Sequence, residues 1–287
     1  MNYSKIISGT MNWGAWGSNL STKKVADLIV NSIEFGINTF DNADIYGGYT
    51  TEELFGNGLA ESGIERERIK IISKFGIMYP SDKLPIKVKH YDYSKGHIVK
   101  SIENSLKNLK TDYIDCVLLH RPSPLMDINE ISDTINELLN SGKIKSFGVS
   151  NFSAQHIQMF DDKVKIDCNQ IQCSLTHLEP IYDGTLDYMQ TKKIKPMAWK
   201  PLGEFYKADN DQIDRIKEKV KKFTKKYNCS ETQILLAWLI KHPSNIIPVV
   251  GTTKIDRLKE SIDSIITDIE LVDWFEILEA SEGKRVP

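Results

Sequence analysis

Eight short apolar runs recur along this chain, and stretches with helical periodicity lie between them. The runs cover residues 5–8, 38–41, 70–74, 114–120, 146–150, 167–171, 195–199 and 246–250. In the first intervening stretch, Val25, Leu28, Ile29 and Ile33 share one helical face, with Ser21 as N-cap and Gly36 as the stop. Further stripes are Ile98, Ile102, Leu106 and Leu109; Ile131, Ile135, Leu138 and Leu139, closed by Gly142; and Ile213, Ile216, Val220 and Phe223. Strands separated by helices of this length predict right-handed βαβ units and a parallel sheet. Eight such units in 287 residues favour a closed (β/α)8 TIM barrel of the α/β class over an open doubly wound sheet. No linker or low-complexity tract interrupts the pattern, so residues 1–287 are expected to form a single domain. Extra helices are expected at 209–227 and 231–241, between strands seven and eight, and at 272–282 after the barrel.

Bulk properties narrow the partners. A net charge of −2 gives no pull toward nucleic acid or an anionic membrane surface. The apolar runs, about six residues at most, are too short to span a bilayer. The first ten residues, MNYSKIISGT, lack the apolar core of a signal peptide. Cys116, Cys168, Cys173 and Cys229 form no C-x-x-C pair. A reduced, cytoplasmic protein is the expectation. There is no G-x-G-x-x-G after the first strand, no P-loop and no H-E-x-x-H. Ser150 lacks the second glycine of a nucleophile elbow, and His177 with Glu179 reads as a solvated loop; no metal is expected.

Four of the apolar runs end in a reactive side chain: FDNADIYG (40–47), IISKFG (71–76), VLLHRP (117–122) and GVSNF (148–152). In a parallel barrel all such ends lie on one face, so Asp41, Tyr46, Lys74 and His120 can converge there. Each alone is a weak signal, since a lone Asp, Lys or Tyr at a strand end is usually a cap or a surface group. Together they explain one another. A phenol with a pKa of about 10 is a poor acid near neutrality, and a neighbouring ammonium lowers that value. A buried ammonium needs an anion, which Asp41 supplies. His120 can hydrogen-bond the reacting oxygen or relay a proton.

At these positions the chain resembles the aldo-keto reductase superfamily, which pairs an Asp with a Tyr five residues later and takes a Lys and a His from the next two strands. Asp41, Tyr46, Lys74 and His120 match. The likeness runs from GTM (9–11) almost to the C-terminus. It is nearest to a subgroup of bacterial oxidoreductases that share sequence like DGTLDYMQ (183–190) and KPMAWKPLG (195–203). The resemblance implies a barrel that binds NADP(H) across its mouth without a Rossmann fold and reduces a small aldehyde or ketone. It also admits a second role, that of an NADP(H)-binding sensor or regulatory subunit with little turnover, because the superfamily includes channel-associated subunits.

The resemblance further implies a cofactor site. Ser150, Asn151 and Gln170 match the groups that hold the nicotinamide carboxamide, although Ser150 and Asn151 can also be read as a helix N-cap ahead of residues 153–160. Trp199 matches the aromatic that stacks on the nicotinamide, and Leu202 and Gly203 match backbone contacts to the pyrophosphate. Thr252 is expected against phosphate at the start of a helix, and Arg257 matches the arginine that grips the 2′-phosphate. Gly251 stands where many NADP-selective members carry Lys, a departure for which Lys254 is the available substitute, and NADPH is expected over NADH. Trp13, Trp16, Met78 and Tyr79 either wall an apolar substrate pocket or pack as core. The sequence leaves the natural substrate and the oligomeric state open.

Overall fold

A computed structural model describes residues 2–287. Eight parallel strands close into a barrel in chain order. They are β1 Ile7–Gly9, β2 Thr39–Asp41, β3 Lys70–Phe75, β4 Cys116–Leu119, β5 Phe147–Ser150, β6 Ile166–Gln172, β7 Lys195–Trp199 and β8 Ile247–Val250. Each of the eight expected runs contributes its strand. The first begins two residues late, at Ile7, and the fourth stops at Leu119, which leaves His120 just beyond its end.

Side chains alternate in and out along each strand, and this alternation builds the site. The barrel interior is a small apolar cluster of Ile7, Ile72, Cys116, Leu118, Cys168, Met197 and Val249, with Tyr3 packed against it. One step of two residues toward the carboxyl end leads from Ile72 to Lys74, from Leu118 to His120, from Cys168 to Gln170 and from Met197 to Trp199. The polar groups therefore form the layer directly above the apolar plug. The outward residues Ile71, Phe75, Val117, Leu119 and Val149 join the larger core between strands and helices.

The helices form where the periodicity places them. Thr22–Glu34 is capped by Ser21, whose side chain accepts from the Lys24 backbone, and it ends just before Gly36 at φ 81°. The stripes at 98–109 and 213–223 are fully on the buried side, and the extra helices appear as Asp211–Tyr227, Glu231–Ile240 and Leu271–Glu282. The last is clamped to Asp211–Tyr227 by Lys226, which reaches Asp273 at 2.7 Å, and to Glu231–Ile240 by Trp274 stacked on Trp238 at 4.7 Å.

One element had no counterpart in the sequence reading. Ile77–Met78 pairs antiparallel with His90–Tyr91, a two-stranded ribbon over the barrel mouth. Met78 thus lies in a strand rather than a plain loop. Among the described residues, no helix is long and apolar enough to cross a membrane.

Candidate active site

Lys74 is the hub of the barrel mouth. Its side chain is fully buried, and Nζ donates to Asp41 Oδ2 at 2.8 Å, to the Asn42 backbone oxygen at 2.8 Å and to Tyr46 Oη at 2.9 Å. An ammonium has three protons, and each has an acceptor. The phenol oxygen accepts from Lys74, which leaves its own O–H free. Asp41 is satisfied on both oxygens, because Gln170 Nε2 donates to Oδ1 at 2.8 Å. His120 lies edge-on to Tyr46, with ring centroids 6.1 Å apart. The four groups expected to converge from the ends of β2, β3 and β4 are brought together.

The electrostatics divide by residue. Burial works against the Lys74 ammonium, but Asp41 and Tyr46 outweigh it and raise its pKa. Burial raises the Tyr46 pKa above its ordinary value, and the lowering by Lys74 does not cancel it. This corrects the expectation of a depressed phenol pKa: desolvating a phenolate costs more here than one already-paired ammonium returns. Burial, followed by the positive charges of Lys74, Arg121 and Lys89, holds His120 well below the usual histidine range. The imidazole is therefore neutral near pH 7, and its buried Nδ1 has no partner.

The residues matched to the carboxamide site join the same network. Trp199 Nε1 donates to Asn151 Oδ1 at 2.9 Å, Asn151 Nδ2 to Ser150 Oγ at 2.8 Å, and Ser150 Oγ to the Gln170 backbone oxygen at 3.0 Å. With Gln170 bound to Asp41, hydrogen bonds run unbroken from Trp199 to Tyr46. The sequence did not disclose this link, since Gln170 was read only as a partner for a ligand. The N-cap alternative for Ser150 and Asn151 is excluded: helix Ala154–Gln158 is capped by Ser153, in a capping box with His156. Asn151 instead takes a left-handed conformation, φ 61°, which Asn tolerates.

The other expected contacts lie along the rim. Leu202 and Gly203 are in the turn after β7. Gly203 has φ 56°, and a Cβ there would stand 2.0 Å from Thr176 Oγ1, so that turn requires glycine. Gly251 accepts from Asn12 Nδ2 at 3.3 Å. Thr252 lies in the loop ahead of helix Ile255–Asp263, and its Oγ1 accepts from the Lys254 backbone at 3.1 Å. Arg257 is exposed in the first turn of that helix.

Of the aromatic and methionine residues expected near the mouth, Trp16 and Tyr79 are there. Their rings lie 5.1 Å apart, and Trp16 is 6.3 Å from Tyr46. Trp13 is not a pocket wall; it is fully buried between Phe40 and Phe55. His177 and Glu179 form a loop contact at 3.8 Å with Glu179 largely exposed.

An eight-stranded parallel barrel with this buried Asp–Lys–Tyr cluster and an adjacent imidazole at its carboxyl end has the make-up of a carbonyl oxidoreductase. Residues 5–279 match the model of the aldo/keto reductase family, and the chain belongs to that family. It is 39% identical to the uncharacterized oxidoreductase YcsN of Bacillus subtilis, over 100% of this chain and 97% of that one. It is 35% identical to the 6-dehydroglucose reductase of Agrobacterium fabrum, again over 100% and 97%. Its fold matches the crystal structure of an aldo/keto reductase from Klebsiella pneumoniae in complex with NADP and acetate, with a TM-score of 0.82 at 21% identity, covering 99% of this chain and 93% of that one.

Proposed function

We propose that this protein uses NADPH to reduce an aldehyde or ketone, with Tyr46 as the proton donor. The carrying observation is that one buried ammonium, Lys74, binds Tyr46 Oη and Asp41 Oδ2 at once. Lys74 donates to the phenol oxygen, so the phenol's own proton points away toward the mouth, where a carbonyl oxygen would receive it. As that proton leaves, negative charge develops on Oη, and the ammonium stands ready to stabilise it. Neutral His120 donates a second hydrogen bond to the same carbonyl oxygen and orients it. A positioned general acid contributes roughly 10²- to 10⁴-fold.

The residues present fit NADP(H). Ser150, Asn151 and Gln170 offer donors and acceptors for a carboxamide, Trp199 is held fixed by Asn151, and Arg257 is exposed and free to take a phosphate. When bound, the cofactor supplies the hydride. Structural relatives described as holding NADP or NADPH support this reading.

The test is NADPH titration by fluorescence, beside NADPH oxidation at 340 nm over a panel of aromatic and aliphatic aldehydes. The proposal expects binding and turnover together. Tight binding with no turnover of any panel member would favour a sensor or regulatory subunit.

A further inference from the structure

Arg121 follows His120 directly, at the carboxyl end of β4. Its guanidinium carbon lies 5.5 Å from the ring centroid of Trp199, which ends β7. Two strands, β5 and β6, separate β4 from β7 around the barrel. The two side chains therefore meet across the mouth, from strands on either side of β5 and β6. Among the described residues it has neither a carboxylate partner nor a side-chain hydrogen bond; the face of Trp199 is its contact. A guanidinium carries five N–H donors, and a partly buried one rarely stands without an acceptor.

The backbone of Arg121 is pinned. Tyr93 Oη donates to its carbonyl oxygen at 2.5 Å and accepts from its N–H at 3.3 Å. The ring edge of Tyr93 lies against Gly76, where a Cβ would stand 1.8 Å from the Tyr93 ring and φ is 99°. Glycine at the end of IISKFG thus makes room for the ring that fixes Arg121. The surroundings are short of negative charge. Lys89 adds to the positive field at His120, and Asp41 is already paired with Lys74.

We infer that Arg121 is a specificity-determining residue, and that the preferred substrates are carbonyl compounds bearing a carboxylate, which the Arg121 guanidinium grips through paired hydrogen bonds. This rests on the carbonyl-reductase reading above. Fixed by Tyr93 and steadied on Trp199, the guanidinium offers its fork to an anion at the opening while the carbonyl end reaches Tyr46 and His120. Tyr93 is a positioning residue.

The experiment compares matched substrates, 4-carboxybenzaldehyde against benzaldehyde and succinic semialdehyde against butanal, in wild type, Arg121→Leu, Arg121→Lys and Tyr93→Phe. The readout is the ratio of kcat/KM, charged over neutral. Wild type should favour the charged partner in at least one pair by ~10-fold or more, the value of a charge-assisted contact. Arg121→Leu should bring that ratio near one, and Arg121→Lys should keep part of it. Tyr93→Phe should raise KM for the charged substrate and leave kcat in place. A wild-type ratio near one in both pairs, or an unchanged ratio in Arg121→Leu, would overturn the inference. So would a loss of NADPH affinity in Arg121→Leu, which would assign the guanidinium to the cofactor. In parallel, intrinsic fluorescence, to which Trp199 contributes as one of five tryptophans, reports binding of benzoate against benzamide. Benzoate quenching that Arg121→Leu abolishes supports the anion site even if no aldehyde turns over, an outcome that would count against the reductase reading alone. Equal quenching by benzamide contradicts the site.

Discussion

Gln170 Nε2 donates to Asp41 Oδ1 at 2.8 Å, and this bond joins two halves of the barrel mouth. On one side it continues through the Gln170 backbone to Ser150, Asn151 and Trp199; on the other it leads to Lys74 and Tyr46. The groups proposed to hold the cofactor and those proposed to move the proton form one hydrogen-bonded unit. Removing a member near the centre should disturb both tasks.

Lys74 is the most exposed to that test. Lys74→Met leaves Asp41 buried without its counter-ion, and breaking a buried pair costs about 3–5 kcal/mol. Urea unfolding should show a loss of that order. The double variant Lys74→Met with Asp41→Asn should recover part of it, because it leaves no unpaired charge. Equal destabilisation of the single and double variants would mean that the lost contacts are steric rather than ionic.

The pH dependence of reduction follows from two shifts of opposite kind. Burial raises the Tyr46 pKa, so the phenol keeps its proton past its ordinary value of about 10. Burial with the nearby cations lowers His120, so the imidazole does not gain a proton as pH falls through its ordinary value of about 6.5. The profile of kcat/KM should be flat from about pH 6 to 9 and fall only on the alkaline side, as Tyr46 ionises. A limb centred near pH 6.5 would show that His120 titrates and is not held neutral.

Arg257 should discriminate between the two nicotinamide cofactors. Arg257→Ala is expected to weaken NADPH binding by about tenfold or more, the value of a charge-assisted hydrogen bond, and to spare NADH. Isothermal titration with both cofactors checks this. An equal effect on the two would separate Arg257 from the 2′-phosphate and leave the Gly251 departure uncompensated.

Behind the site, Asp44 is only partly covered as a residue, yet its Oδ1 is buried without a partner. Burial and the charge of Glu52 raise its pKa well above the ordinary value. A carboxyl whose folded pKa is raised costs nothing below the unfolded pKa and loses stability as pH climbs through the folded one. Asp44→Asn should therefore raise the melting midpoint by about 2–4 °C near pH 8, the shift that ~1 kcal/mol produces in a large domain. The gain should shrink toward pH 4.5. A gain that does not depend on pH would mean that the carboxylate charge is not its source.

The strands and the converging groups were legible in the sequence because two rules fix them locally. Alternation places Lys74 two residues above Ile72 on the inner face, and parallel closure brings strand ends together. What was hidden depended on contacts between distant segments. The Gln170–Asp41 bond joins side chains 129 positions apart. The ribbon of Ile77–Met78 with His90–Tyr91 is held partly by Tyr49, which accepts from the Tyr79 backbone. Trp13 looked the same as Trp16 in sequence, and only packing against Phe40 and Phe55 assigns it to the core. The net direction of the Tyr46 shift was also out of reach, because it is a contest between burial and Lys74 that spacing does not weigh.

The most direct test of the central claim is NADPH oxidation at 340 nm with an accepted aldehyde, wild type beside Tyr46→Phe. Tyr46→Phe should bind NADPH within about twofold of wild type and lose at least ~10²-fold in kcat, as removal of a general acid does. Near-normal turnover in Tyr46→Phe would remove the phenol from the reaction and contradict the role assigned to Lys74 beside it.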